Sequence, residues 1–317
     1  MPTHDGIELL KIVLPSLQAQ RYHDFSVTVV DDASTDPTAP WLAEQWPVVA
    51  VLRLASNVGV AAALNRGAAA QQGELVALLN NDLELDPGWL EVLVAELDAH
   101  PTAAWCGGKQ LRYHDRRRLD GAGDVIGWST GATRRGHGEL DSGRYDRPEW
   151  IFSAGAGAAL YRRAALEQVG GFDEDFLAYG EDSDWGLRAQ LRGLRCRYVP
   201  AAVAYHIGSA TTGRDRSDRY QRLLWRNTLL LTIKNIPLDS AVRHAPGLLA
   251  LPVRLAAISR RQGRLRTFAA ALVEVASMLP TTLRKRRAIQ RGRVADRGSF
   301  ERVFEHAPAR RGSMPTP

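Results

Sequence analysis

The chain has almost no cysteine. Cys106 and Cys196 are the only two in 317 residues, too few for a disulfide framework or a cysteine-based zinc site, which favours a reducing, cytoplasmic setting. Long apolar runs are missing too. The stretches Leu248 to Ile258 and Phe268 to Leu279 are interrupted by Pro252, Arg254 and Glu274, and neither reaches the ~18 uncharged residues of a spanning helix. No strand precedes the first helical stretch, in which Leu10, Val13, Leu14 and Leu17 share one face soon after Met1. Disorder is excluded by 45% hydrophobic and 24% charged residues, a composition that supports one large or two modest domains with a real core.

Acidic residues are scarce towards the end of the chain. From Ala210 to Pro317 there are 22 Lys and Arg against 7 Asp and Glu, a balance of +15, whereas residues 1–209 carry −9 within the overall +6. An acidic front argues against nucleic acid as the main ligand unless a metal intervenes, while a basic back can meet anionic lipid or nucleic-acid phosphates. A nucleic-acid-binding protein that uses its basic half is therefore one alternative function.

The front half is built of apolar strands that end abruptly in acids and amides. Leu75 to Leu79 is a continuous apolar run, as suits a strand buried on both faces in a parallel sheet, and it stops at Asn80-Asn81-Asp82. Ser26 to Val30 ends in Asp31-Asp32, and Val48 to Leu54 ends before Asn57. Helical stretches follow each strand, giving the alternation of an α/β protein. Open α/β sheets bind ligands beyond the carboxyl ends of their strands, where Asp31, Asp32, Asn57 and Asp82 converge. A carboxylate there can hold a divalent cation, and the cation can hold phosphates.

Between Asp120 and Tyr145 seven glycines sit among charged residues and Trp128, which reads as a mobile loop, a substrate lid or a disordered insertion. Ile151 to Arg162 resumes an extended pattern in which Gly155, Ala156, Gly157 and Ala158 allow close backbone approach. Gly170-Gly171-Phe172-Asp173-Glu174 and Gly180-Glu181-Asp182-Ser183-Asp184 then lead into a helix carrying Leu187, Leu191 and Leu194. Its acids exceed what capping needs. Arg195 to Ala204 reads as a further strand, delivering His206.

Taken in order, Asp31-Asp32-Ala33-Ser34-x-Asp36, Asn57-x-Gly59 with Asn65-x-Gly67, Leu79-Asn80-Asn81-Asp82, Gly170-Gly171-Phe172-Asp173-Glu174, Gly180-Glu181-Asp182-x-Asp184 and His206-x-Gly208-Ser209 resemble family 2 glycosyltransferases, and most of all their rhamnosyltransferase-like branch. The resemblance covers about Pro2 to Gly213 and reaches Arg226-Asn227. It implies a GT-A fold, a Rossmann-like mixed, mostly parallel sheet flanked by helices, and a hexosyltransferase that inverts the sugar carbon. It also implies a UDP- or dTDP-sugar donor, a divalent metal (Mg²⁺ or Mn²⁺), and an acceptor that is a cell-envelope glycan or lipid-linked.

Carried over position by position, the resemblance places Pro2, Thr3 and His4 against the nucleobase and Asp31 and Asp32 on base and ribose, with Asn57, Asn65, Asn80 and Asn81 among the nucleotide-sugar contacts. Asp82 and His206 match metal ligands, Asp182 the catalytic base, and Glu181 a group that orients it or binds acceptor. Two departures matter. Asn80 stands where the family often has Asp, which lowers the charge of the metal site, and no Gln-x-x-Arg-Trp signature of processive synthases follows. Addition of one or a few sugars is the expectation. A sugar-nucleotide nucleotidyltransferase, the other alternative, calls for a Gly-rich basic phosphate loop near the N-terminus, and none is present.

The resulting organisation is a catalytic domain over 1–213, a helical basic appendage over 214–290 and a disordered tail over 291–317. Apolar faces beside clustered arginines in the appendage fit two arrangements: helices lying on an anionic membrane surface, with a peripheral location at the inner face of the cell membrane, or a helical subdomain packed on the catalytic core with a solvated basic face. In the family an apolar strand runs into the Pro-Thr-x-x segment, and Met1 stands where that strand would finish. The expectation is a natural product that starts upstream.

Overall fold

A computed structural model describes residues 1–155, 157–208 and 217–305. The chain opens with β1 (Pro2–Thr3), α1 (Ile7–Gln18), β2 (Thr28–Asp31), α2 (Thr38–Gln45), β3 (Ala50–Arg53) and α3 (Val60–Ala70). The three strands form one parallel sheet, with Pro2 opposite Val30 and Val30 opposite Leu52. A strand does therefore precede α1, though it is only two residues long. It is fixed because the Val30 amide donates to the Met1 carbonyl and the Asp32 amide to that of Thr3, both at 2.8 Å.

A seven-stranded mixed sheet follows. It comprises β4 (Leu75–Leu79), β5 (Leu83–Leu85), β6 (Ala103–Arg112) after α4 (Trp89–Ala99), and β7 (Asp115–Gly121). A separate ribbon, β8 (Asp124–Gly127) with β9 (Gly131–Arg134), interrupts it before β10 (Glu149–Ile151) and β11 (Ala158–Arg162). After α5 (Arg163–Val169), a single 3₁₀ turn (Glu174–Phe176) and α6 (Glu181–Leu191), β12 (Arg195–His206) completes the sheet. The order is β10-β12-β6-β11-β4, with β5 paired to β12 and β7 to β6. The apolar run of β4 is buried at Val76, Leu78 and Leu79, and its ladder is antiparallel, to β11.

Each face of this sheet carries its own core. On one, Trp105 from β6, Tyr161 from β11 and Trp185 from α6 meet edge to face, with centroids 5.1 and 5.0 Å from Trp185. Trp185 is fully buried, and truncating such a side chain costs about 3–5 kcal/mol. On the other face α1 and α4 deliver Leu10, Leu14, Trp89 and Leu93 against Leu160 and Val199. Helix α6 is thus locked to the sheet at the end that carries Glu181 and Asp182.

The remaining helices are α7 (Asp218–Asn235), α8 (Leu238–Arg243), α9 (Ala245–Arg261), α10 (Leu265–Arg291) and α11 (Arg297–Glu305). Two expectations are corrected here. The glycine-rich segment 120–145 forms β8, β9 and the end of β7, because Gly123, Gly131, Gly136 and Gly138 all take positive φ between 68° and 81°. Gly131 stands at the closing pair of the β8–β9 hairpin, and the others bend the chain just outside these strands. The segment from Arg291, expected to be disordered, carries α11, whose Phe300 and Phe304 are buried with Leu187, Leu191 and Trp225. Residues 306–317 lie outside the described residues, as do Ala156, Ser209 and the boundary expected near Gly213.

Candidate functional site

The carboxyl ends of β1 and β2 form the first wall. Asp31 is fully buried, accepts the Ser34 amide at 2.8 Å through Oδ1 and lies 3.6 Å from the Arg53 guanidinium. Its Oδ2 has no hydrogen-bond partner among the described residues. Asp32 uses both oxygens on the Val58 and Gly59 amides, at 2.8 and 3.0 Å. It therefore fixes the loop that presents exposed Asn57, much as a capping residue fixes a helix start. His4 Nδ1 lies 2.9 Å from the Asp32 carbonyl. A shallow cavity lined by Ala33, Ser34, Arg53, Leu54 and Ala55 opens beside these groups.

Asn81 donates to the Thr3 hydroxyl at 2.9 Å, and both are buried, so the end of β1 is tied to the segment after β4. Pro2 is held in β1, and the Asn80 amide donates to Gly157. Asn65 is not brought to this wall. Its amide donates to the Phe172 carbonyl at 2.9 Å and accepts the Phe172 N–H at 2.7 Å, which makes it a brace between α3 and the turn before α6.

The second wall centres on His206. Its Nε2 lies 3.2 Å from Asp82 Oδ2 and its Nδ1 2.8 Å from Asp120 Oδ2, with all three side chains about nine-tenths buried. Burial opposes a charge on the ring, but hydrogen bonds to Asp120 and Asp82 outweigh it and raise the pKa to about 9. Asp120 is buried as well, yet His206, Arg134 and His137 hold its carboxyl far below the usual range. Arg134 caps the cluster from β9, pairing with Asp120 while its side chain stays 46% exposed. It feels Asp120, Asp124, Asp182 and Asp82 together.

A third group comes from α6 and β8. Asp182 accepts the Ser183 amide at 2.7 Å. A Cβ at Gly155 would lie 3.1 Å from Asp182 Oδ2 and 3.6 Å from Asp124 Oδ2, so the two carboxyls flank a position where a side chain would crowd Asp182. Asp124 is buried, and burial followed by the charge of Asp182 pushes its pKa to about 8. Burial and the same neighbour also raise Glu181, whose Oε2 has no partner among the described residues. Asp184 points the other way, into Lys234, Asn235 and Arg188.

Asp120, Asp124 and Arg134 are absent from the sequence-based set. The signal was present in Leu119-Asp120-Gly121-Ala122-Gly123-Asp124, where two acids are spaced by residues too small to cover them. Reading the segment as a loop hid it.

Asp82 and His206 fit a divalent ion that displaces the Nε2 proton held between them. Asp82 Oδ1 is buried with no partner among the described residues, and a 3.2 Å separation of Asp82 Oδ2 from His206 Nε2 resembles the ~3 Å edge between adjacent donors around a small octahedral cation. Asp120 on the opposite ring nitrogen is the carboxylate that commonly orients a ligating histidine. Among the described residues no group of three or more His, Cys, Asp and Glu converges as a metal cluster. Two protein ligands leave the remaining positions to phosphate and water, as Mg²⁺ sites commonly do.

A mixed sheet with acids and amides at its carboxyl edges, and a helix presenting further acids to them, defines an α/β protein of the GT-A class. The family model described as glycosyl transferase family 2 matches residues 1–170, and the chain belongs to that family. Over 226 residues it is 34% identical to the O-antigen biosynthesis protein RfbC of Myxococcus xanthus, covering 68% of this chain and 17% of that protein. Over 232 residues it is 30% identical to the N-acetylglucosaminyl-diphospho-decaprenol L-rhamnosyltransferase of Mycobacterium tuberculosis, covering 65% of this chain and 74% of that one. The chain thus spans only about a sixth of the length of the first of these relatives. Among solved structures, a mannosyltransferase from Pyrobaculum calidifontis in complex with GDP-Man and Mn²⁺ has a TM-score of 0.53 at 20% identity, covering 95% of this chain and 84% of that one.

Proposed function

We propose that the protein is an inverting glycosyltransferase that moves a sugar from a UDP- or dTDP-sugar to a hydroxyl of a cell-envelope glycan or lipid-linked acceptor. The observation that carries the reading is the buried, unpartnered Asp82 Oδ1 beside His206. Asp82 and His206 would hold Mg²⁺ or Mn²⁺, with His206 oriented by Asp120. The cation, when bound, neutralises the charge that develops on the leaving diphosphate. Pro2, Thr3, His4, Asp31, Asn57, Asn80 and Asn81 line the nucleotide side, and Asp32 holds the Asn57–Gly59 loop against it.

Asp182 takes the proton of the acceptor hydroxyl as it attacks. Glu181, buried beside it, carries a proton more readily than an ordinary carboxyl and orients either Asp182 or the acceptor. Thermal-shift screening against nucleotide sugars, with and without Mg²⁺ or Mn²⁺, tests the donor side directly, because a ligand that binds the folded state raises its apparent stability. Metal-dependent stabilisation by one donor is expected. No stabilisation by any nucleotide sugar with either metal overturns the reading.

The location we propose is peripheral, at the cytoplasmic face of an anionic membrane. Among the described residues no helix is long and apolar enough to cross a membrane. The outward faces of α9 and α10 are nonetheless apolar, with Leu249, Val253, Leu265, Leu272 and Val273 exposed. Residues 245–291 contain ten Lys and Arg and a single acid, Glu274, which is taken up by Arg222 and Arg226. Two copies meeting through this face would bring arginine against arginine. An anionic lipid surface supplies both apolar depth and opposite charge.

A further inference from the structure

The short segment between the 3₁₀ turn and α6 is held in an unfavourable backbone conformation. Leu177, Tyr179 and Gly180 have φ of 61°, 71° and 87°, and two of them carry a Cβ that this region penalises. One end of the segment touches the donor side: the Leu177 carbonyl accepts the Ala61 amide at 3.2 Å, and a Cβ on Gly59 would lie 3.0 Å from the same oxygen. The other end runs directly into Glu181 and Asp182. A turn of this kind persists only where its surroundings over-determine it.

The restraint comes from α7. The Asn227 Nδ2 lies 3.0, 2.9 and 2.7 Å from the carbonyl oxygens of Phe176, Ala178 and Tyr179. Arg226 donates to the carbonyls of Asp175 and Phe176 at 2.9 and 3.1 Å, and its Nε donates to Asn227 Oδ1 at 2.9 Å, which fixes the way the amide faces. Asn227 is 1% exposed. A carboxylate in its place would meet three carbonyl oxygens with like charge, and an alanine would take the amide donor from the Ala178 and Tyr179 carbonyls, leaving Arg226 on that of Phe176.

We propose that Asn227 is a positioning residue for the proton transfer: by holding the strained turn Leu177–Gly180, it sets the direction in which Asp182 leaves the start of α6. The inference rests on the reading of Asp182 as the base. Misplacing a catalytic group by about 1 Å from a distant substitution costs on the order of 10²-fold, so Asn227→Ala is expected to lower kcat roughly 10–100-fold while the nucleotide-sugar Kd, measured by titration calorimetry, stays within about threefold of wild type. Asn227→Ser, which keeps one donor, falls between the two and serves if the alanine variant does not fold. Leu177→Gly in the Asn227→Ala background removes the Cβ penalty and recovers part of the lost kcat. Asp182→Asn is measured in parallel. A kcat within twofold of wild type for Asn227→Ala or Asn227→Ser, while Asp182→Asn is inactive, overturns the inference alone. A fully active Asp182→Asn removes the reading beneath it.

Discussion

Lys234 Nζ lies 2.8 Å from Asp184 Oδ1, both groups almost wholly buried. This ion pair separates Asp184 from its neighbour Asp182, two residues earlier on the same helix. Successive helical positions differ by about 100° in direction. Asp182 lies against Gly155, and Asp184 lies in the packing between α6 and α7.

The two acids therefore respond differently to loss of charge. Asp182→Asn lowers kcat roughly 10²–10⁴-fold with an unchanged melting temperature. Asp184→Asn leaves Lys234 with Asp173 as its remaining acid and destabilises the fold by on the order of 3 kcal/mol, while the molecules that remain folded turn over normally. Steady-state kinetics below the transition, together with thermal melts, separate the cases. The assignment of the base fails if Asp184→Asn is the variant that loses kcat at full stability.

Acid stability depends on the same region. Asp173 is buried, which alone would raise its pKa, but Lys234 and Lys285 lower it to about 2 from 3.8. The folded value is depressed, so its contribution is present above pH ~4 and is lost as pH falls through ~2. At 1.36 kcal/mol per unit the contribution is about 2 kcal/mol. Chemical denaturation at pH 7, 4 and 2.5 is expected to show a drop concentrated between the last two points, and Asp173→Asn removes that part of it. An unchanged pH profile in Asp173→Asn refutes the assignment.

Removal of the metal ligands is the third test. Asp82→Ala is expected to abolish activity and the metal-dependent thermal shift by donor, with the melting temperature of the ligand-free protein close to wild type. His206→Ala loses less, because Asp82 retains the charge. Full turnover of the wild type in excess chelator contradicts both expectations.

The fourth concerns α9 and α10. Sedimentation with vesicles containing phosphatidylserine or phosphatidylglycerol is expected to carry the protein down, neutral vesicles much less, and added salt weakens the effect. Leu249→Ser with Val253→Ser lowers recovery without affecting the turnover of a water-soluble acceptor. Equal sedimentation with both vesicle types counts against the surface.

Much of the site was legible because short acidic and amide motifs end apolar strands, and sheet topology then dictates where they lie. Asp31, Asp32, Asn57 and Asp82 are placed at the sheet edge this way, whereas the roles expected of Asp182 and His206 come from the family resemblance. Asn65 was misplaced because spacing along a helix does not reveal which side chain braces a neighbouring turn. Asp120, Asp124 and Arg134 are not legible in the sequence because glycine density resembles looseness, whereas positive φ at Gly123 and Gly131 fits a tight ribbon. The helix α11 was missed for a related reason. Its two phenylalanines lie in a polar stretch, and only the tertiary core shows that they are buried.

The apolar cluster shared by Phe300 and Phe304 with Leu187 and Leu191 makes α11 part of the same cooperative unit as α6, the helix that presents Asp182. Heat or denaturant then meets one transition rather than a catalytic body shedding its last helices first. A protease that clips before Phe300 does more than trim a tail: it opens the far end of the helix whose near end holds Asp182.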